Sequence, residues 1–286
     1  MNNTYICRVG QYDTNMGVSQ MKRFLCFLFI IISASFISAQ SYKDYVQMAL
    51  ASLEKDSLDV AEGQLREALR LEPFLQSNAI LYQYLGRIQE RRGQTSEALK
   101  SYGQGLDLAP QTESLLLDRA GLYMRLKNED KALADYNSVL QKNADQKEAL
   151  FFRAYIYAQQ RLYRQGREDY EHLLRLEPEH EQARLGLALL NEKDRRPREA
   201  MEQMNLLVQM FPTHANLYAV RAGMEADRKL NETAQADYDH AIELEPENPD
   251  FYLLRGNFYR KLKKKKKAKA DYQKALAYGA DPRDVP

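Results

Sequence analysis

Small and apolar residues recur along this chain with a period of 34, and each period carries the pattern of two helices. Taking the copies as 42–75, 79–112, 113–146, 147–180, 181–214, 215–248 and 249–282, the eighth residue is always small: Ala49, Gly86, Ala120, Ala154, Ala188, Ala222 or Gly256. So is the twentieth: Ala61, Ala98, Ala132, Gly166, Ala200, Ala234 or Ala268. Small side chains let two backbones approach, so these places predict a helix A crossing a helix B in every copy. Four residues after the second small site comes a large one (Leu65, Tyr102, Tyr136, Tyr170, Met204, Tyr238, Tyr272), on the same helix face. A proline then closes helix B at Pro73, Pro110, Pro178, Pro212 and Pro246, because it disfavours helical geometry in the residue before it. From Pro110 onward the closing positions fall 34 apart, with Ala144 and Ala280 standing where proline would be; Pro73 to Pro110 is 37, an insertion of Gln76, Ser77 and Asn78. A fixed period of this length predicts a stacked solenoid rather than a globular enzyme.

Two polar positions vary together. The seventh residue is Arg119, Arg153, Arg221 or Arg255 in four copies, and the twenty-third in those copies is Asp135, Asp169, Asp237 or Asp271. The other three copies have Met48 with Gln64, Leu85 with Ser101, and Leu187 with Gln203. Both places adjoin the small-residue crossing, which predicts four ion pairs clamping helix A to helix B. Recent duplication of these copies is the rival source of the coincidence.

With small sites, helix-B aromatic and closing proline in register over about 240 of 286 residues, the chain resembles the tetratricopeptide repeat family. The resemblance implies an all-α, right-handed superhelical solenoid of about seven stacked helix-turn-helix repeats, with helix A lining a concave groove. It implies partner binding and no particular pathway, since the family serves many. The fifth and ninth residues of helix A should face that groove. In mid-chain they are apolar: Leu117, Phe151, Tyr155, Leu185 and Leu189 are the candidate partner-binding residues. Members that grip a C-terminal carboxylate carry lysine, asparagine and arginine at such places in consecutive repeats; here only Arg87 and Asn257 match in part. The strip therefore suits an apolar helix or extended segment, the alternative being that part of it packs between repeats.

The N-terminal end has a different composition. Residues 21–39 join a basic start (Lys22, Arg23) to nine apolar residues, Phe24 to Ile32, and a small-residue end, the make-up of a secretory signal peptide cleaved after Ala39. The apolar run is short for a membrane span, which takes about 20 residues; a retained anchor is the alternative. Residues 1–20 read as an upstream extension from a misassigned start, with translation beginning at Met21. Export to the periplasm or exterior of a bacterium follows, in keeping with an envelope scaffold. Cys7 and Cys26 both precede the cleavage site, so the mature chain would have no disulfide and no thiolate ligand.

Charge excludes one class of partner. The chain is +1 (41 basic, 40 acidic); residues 1–39 hold Arg8, Lys22, Arg23 and Asp13, which leaves 38 minus 39, or −1. That balance gives no general attraction to nucleic acid. One local excess exists: Lys263, Lys264, Lys265, Lys266 and Lys267, placed by the repeat register at the last A–B turn. It is either a contact for an anionic surface such as lipid headgroups, an acidic glycan or an acidic partner, or a solvated turn. No phosphate loop, zinc-protease or serine-nucleophile motif is present, and His172, His180, His214 and His240 lack ligand spacing, so no enzyme activity, metal or cofactor is expected. The residues imply an adaptor holding envelope proteins. Alternatives are a membrane-apposed assembly factor using the lysine run and a chaperone-like holder of envelope clients. The last helix B, followed by a short tail ending at 283–286, leaves Ala275 and Leu276 for self-association, a partner or a fold-back to cover.

Overall fold

The structure, a computed structural model, describes residues 41–286; the leader, the upstream extension and both cysteines lie outside the described residues. Among those residues there are fourteen α-helices and no strand. The chain divides after Leu122 into two compact units. The first holds α1 (41–54), α2 (Leu58–Leu71), α3 (Ala79–Arg91), α4 (Thr95–Leu108) and most of α5 (Glu113–Arg125). The second holds α6 (Glu129–Lys142), α7 (Lys147–Gln159), α8 (Tyr163–Leu176), α9 (Glu181–Lys193), α10 (Pro197–Met210), α11 (Ala215–Asp227), α12 (Asn231–Leu244), α13 (Pro249–Lys261) and α14 (Lys265–Ala277). Odd-numbered helices are A helices and even-numbered ones B helices.

Each helix begins and ends for a local reason. A left-handed residue closes every A helix: Asp56, Gly93, Lys127, Arg161, Arg195, Lys229 and Lys263 all have φ between 54° and 72°. The next residue donates back across the turn, as Leu162 N–H does to Tyr157 O (2.8 Å) and Leu230 N–H to Glu225 O (3.0 Å). This capping reverses the chain and satisfies helix-end carbonyls. B helices from α2 to α12 end two residues before the proline position, with one cap residue between. Glu177, Phe211 and Glu245 take φ near −130° there, and Asn143, before Ala144, takes −131° without a proline to enforce it. The A helices α7 and α13 start on a side-chain cap: Gln146 Oε1 accepts from Ala149 N–H (2.7 Å) and Asn248 Oδ1 from Asp250 N–H (3.1 Å).

The small residues sit where the helices cross. A Cβ on Gly166 of α8 would lie 3.0 Å from Ala154 O of α7 and 2.8 Å from a Leu190 methyl, so the backbones nearly touch. The eighth- and twentieth-position alanines are buried, and the large residues four further on (Leu65, Tyr102, Tyr136, Tyr170, Met204, Tyr238, Tyr272) are buried with them. Each such side chain contributes about 1.5–3 kcal/mol by leaving water. Glycine at the eighth position makes room for the ring: a Cβ on Gly86 would lie 2.4 Å from Tyr102 Cε1.

Two places differ from the sequence reading. Only Lys263 and Lys264 lie in the A–B turn; Lys265, Lys266 and Lys267 form the first turn of α14. At the C-terminal end Ala275 is fully buried, while Leu276 (41% exposed) and Tyr278 stay open. The tail folds back, placing Val285 against the cluster of Phe258, Tyr259 and Tyr272.

Candidate partner-binding surface

The apolar candidates of the second unit lie on two successive A helices, α7 and α9. They separate into two kinds. Phe151 is partly buried: its ring stacks on His180 (5.6 Å, 17°) and meets Phe152 and Tyr170 edge-on at 5.2 and 6.0 Å. His180 also caps α9 by accepting from Ala183 N–H (3.3 Å), so this aromatic group joins one repeat to the next. Leu185 is partly buried against Ala188, Met204, Leu207 and Leu217. Tyr155 and Leu189, four residues further along each helix, are 41% and 40% exposed. These two are the open surface, and Phe151 and Leu185 support it from below. Leu117, in the first unit, is partly buried on α5.

The polar candidates hold helices together. Arg153 donates to Asp169 through Nε (2.7 Å) and Nη2 (2.8 Å), Arg221 to Asp237 (2.6 and 2.8 Å), and Arg255 to Asp271 (2.9 and 2.8 Å). The remaining nitrogen reaches the preceding B helix: Arg153 Nη1 donates to Asn137 (2.9 Å), Arg221 to Asn205 (3.1 Å) and Arg255 to Asp239 (2.5 Å). Each arginine thus staples three helices, its A helix and the B helices on either side. The hydrogen bonds it donates to Asp169 hold the Arg153 guanidinium above its usual range, as those to Asp237 do for Arg221. Burial works against the charge of Arg255, and Asp271 and Asp239 outweigh it. Arg119 and Asp135 fall in different units.

Where the arginine is missing, another polar bond ties the twenty-third residue to helix A. Ser52 donates to Gln64 (2.8 Å) and Ser101 to Gln89 (2.7 Å). Arg184, at the fourth position of its repeat, donates to Gln203 (2.9 Å) and to Pro178 O (2.5 Å). Sequence reasoning missed Arg184 and the Asn137, Asn205 and Asp239 acceptors. The acceptors were open to detection, since each lies 16 residues before its arginine just as each aspartate lies 16 after.

The two partial matches to a carboxylate grip are already engaged: Arg87 with Asp118 (2.6 Å), and Asn257 as acceptor from Tyr272 (2.9 Å). The histidines are separate edge residues. His214 stacks on Phe211 and lies 3.0 Å from Glu181, and His172 lies 2.8 Å from Asp145. No three potential ligands cluster as a metal site among the described residues, and none of the described helices is long and apolar enough to cross a membrane. The lysine run is exposed, with Lys264 and Lys267 resting 5.9 and 5.1 Å from the Tyr259 ring.

Helix pairs repeated at a fixed period, with an open apolar A-helix face, define a helical-repeat interaction scaffold. Profiles of the tetratricopeptide repeat match residues 85–148, 153–215 and 237–270. A tetratricopeptide repeat protein of known structure from Parabacteroides merdae is 31% identical, with a TM-score of 0.67 over 86% of this chain and 96% of that one. The C-terminal part of a repeat protein from Cytophaga hutchinsonii (12% identity, TM-score 0.67, 84% of this chain and 97% of that one) shares the fold. So does Pseudomonas aeruginosa pilF (18% identity, TM-score 0.59, 77% and 99%). No curated protein matches. The chain belongs to the tetratricopeptide repeat family, and its fold class is the all-α repeat solenoid.

Proposed function

We propose that this protein is a non-enzymatic adaptor of the bacterial cell envelope that takes an apolar helix or extended segment of a partner protein on the A-helix face of its second unit. The observation that carries the reading is Tyr155 and Leu189: two large apolar side chains at the same place in consecutive repeats, each about 40% exposed. Their bases are held by the His180–Phe151 stack and by the Arg153 and Arg184 bonds, so the surface is ordered before a partner arrives. Pre-ordering lowers the entropy cost of association, about 0.5–1.5 kcal/mol for each side chain that need not be immobilised. A photo-crosslinking amino acid in place of Tyr155 or Leu189 should capture a partner in cells, and the same group in place of Leu230, exposed in an A–B turn, should not. Equal capture at all three positions would refute the surface.

Export rests on the leader at residues 21–39. N-terminal sequencing of the protein from an osmotic-shock fraction should begin at Gln40; a cytosolic protein retaining Met21 would contradict it. A second reading, membrane apposition, draws on the lysine run. Lys265 to Lys267 occupy the first turn of α14, which has no acid, although cations there oppose the helix dipole by about 0.3–1 kcal/mol each. Flotation with anionic liposomes, lost on changing Lys263–Lys267 to glutamine, would favour it; flotation unchanged by those substitutions would end it.

A further inference from the structure

The three-helix staple leaves one slot open. In the second unit every junction of a B helix, the next A helix and its own B helix holds an arginine: Arg153, Arg184, Arg221 and Arg255 in turn. The junction of α2, α3 and α4 in the first unit does not. Leu85 stands at the arginine place, Ser101 at the aspartate place, and Arg66 at the place that Asn137 and Asn205 hold elsewhere. These three residues line a cleft of about 380 Å³, within the range of about 300–1,000 Å³ usual for ligand clefts.

The vacated slot has the opposite polarity to a filled one. A filled slot offers acceptors to a cation. Here Arg66, Arg70 and Lys100 line the opening against a single acid, Glu97, over an apolar floor of Leu69 and Leu85. Arg66 and Arg70 pair with Glu62 and Glu67 on their own helix, at 2.6 and 2.9 Å; both arginine side chains are well exposed, whereas Glu62 is largely buried and also takes Arg92. Exposed guanidiniums gain little from such pairs, so a further carboxylate can share them. Lys100 is exposed and has no acid in salt-bridge range among the described residues. At the inner end Ser101 and Gln89 are buried and bonded to each other.

We infer that this cleft is a second binding site, which takes an acidic side chain of a partner peptide together with an adjoining apolar one. Charge complementarity selects the carboxylate, and the leucine floor selects its neighbour. The site lies among α2, α3 and α4 and is independent of Tyr155 and Leu189.

The test is fluorescence anisotropy of the full chain with a labelled peptide of alternating leucine and glutamate. The same peptide with glutamine for glutamate is the control. Rebuilding the staple with Leu85→Arg, Ser101→Asp and Arg66→Asn fills the slot, and should abolish binding without lowering the melting temperature. Should that triple variant fail to fold, Arg70→Glu with Lys100→Glu changes only exposed residues and should weaken binding by about tenfold or more. Equal binding of the glutamine peptide, or full affinity in a folded slot variant, would overturn the proposal. Competition by glutarate alone at the peptide's own concentration range would reassign the cleft to a free carboxylate and overturn the peptide reading.

Discussion

Removing Arg153 tests the staple that orders the binding face. The guanidinium makes two bonds to Asp169 and one to Asn137. Asp169's side chain is 9% exposed and that of Arg153 22%. Methionine at 153 keeps much of the packing of the aliphatic stem, so the loss falls on the charge. Breaking a buried pair costs about 3–5 kcal/mol, because the surviving charge stays desolvated; an exposed pair is worth about 0–1. Asp169 is nearly buried while the arginine still meets water, which places Arg153→Met near the lower bound, at about 3 kcal/mol. Asp169→Asn, which keeps an acceptor for a guanidinium that still meets water, should cost about 1–2 kcal/mol. Arg91→Met is the control: its pair with Asp56 is 57% and 69% exposed, and its loss should leave the urea midpoint essentially unchanged. Urea unfolding with a double-mutant cycle gives the coupling. Hydrogen exchange in α6, α7 and α8 shows whether the loss is local, since repeat arrays need not unfold in one step. An Arg153→Met cost as small as the Arg91 control, or no coupling between 153 and 169, would refute the argument.

Glycine substitutions should split by the space above them. Gly86→Ala meets Tyr102 at 2.4 Å and should destabilise by about 1–3 kcal/mol, whereas Gly223→Ala meets nothing nearer than 3.8 Å and should be neutral or stabilising by up to about 1 kcal/mol in thermal melts. The left-handed turn residues offer the converse test. Arg161→Gly and Lys229→Gly should each raise stability by about 0.5–1 kcal/mol by relieving positive φ, and Gly93→Ala should lower it by a similar amount. Glu225 is buried with Oε2 unpartnered, and burial, with Asp237 beside it, raises its pKa. The folded state therefore binds its proton more tightly than the unfolded one, so stability falls as pH rises from 4.5 through the raised folded value. Glu225→Gln should flatten that dependence and stabilise the protein at neutral pH by about 1 kcal/mol, measured as melting temperature against pH.

Much of the helix pattern is readable because it rests on short-range sterics. A proline one residue past Glu177 and a glycine under Tyr102 act on their immediate neighbours, and the period repeats the message. The A–B turns were not legible in the same way. Glycine marks only Gly93, while Lys, Arg or Asp hold the left-handed position elsewhere, because the bond from Leu162 to Tyr157 and its equivalents outweighs the local cost. The binding face was legible only in part. Phe151 and Tyr155 look alike in sequence, yet a histidine 29 residues beyond Phe151 covers one and nothing comparable covers the other. Arg184 was invisible for a related reason: it enters the slot from a different helical position and obeys no spacing shared with the other arginines.

The most direct measurement is a crosslinked affinity capture of the tagged protein at native level in its own organism, read by mass spectrometry, for the wild type and for Tyr155→Ser with Leu189→Ser. The account predicts an envelope protein recovered near one-to-one with the wild type and lost from the double variant, whose melting temperature is unchanged. Recovery of the same partner by the double variant would contradict the assignment of the binding face, and recovery of no protein partner by the wild type would contradict the adaptor itself.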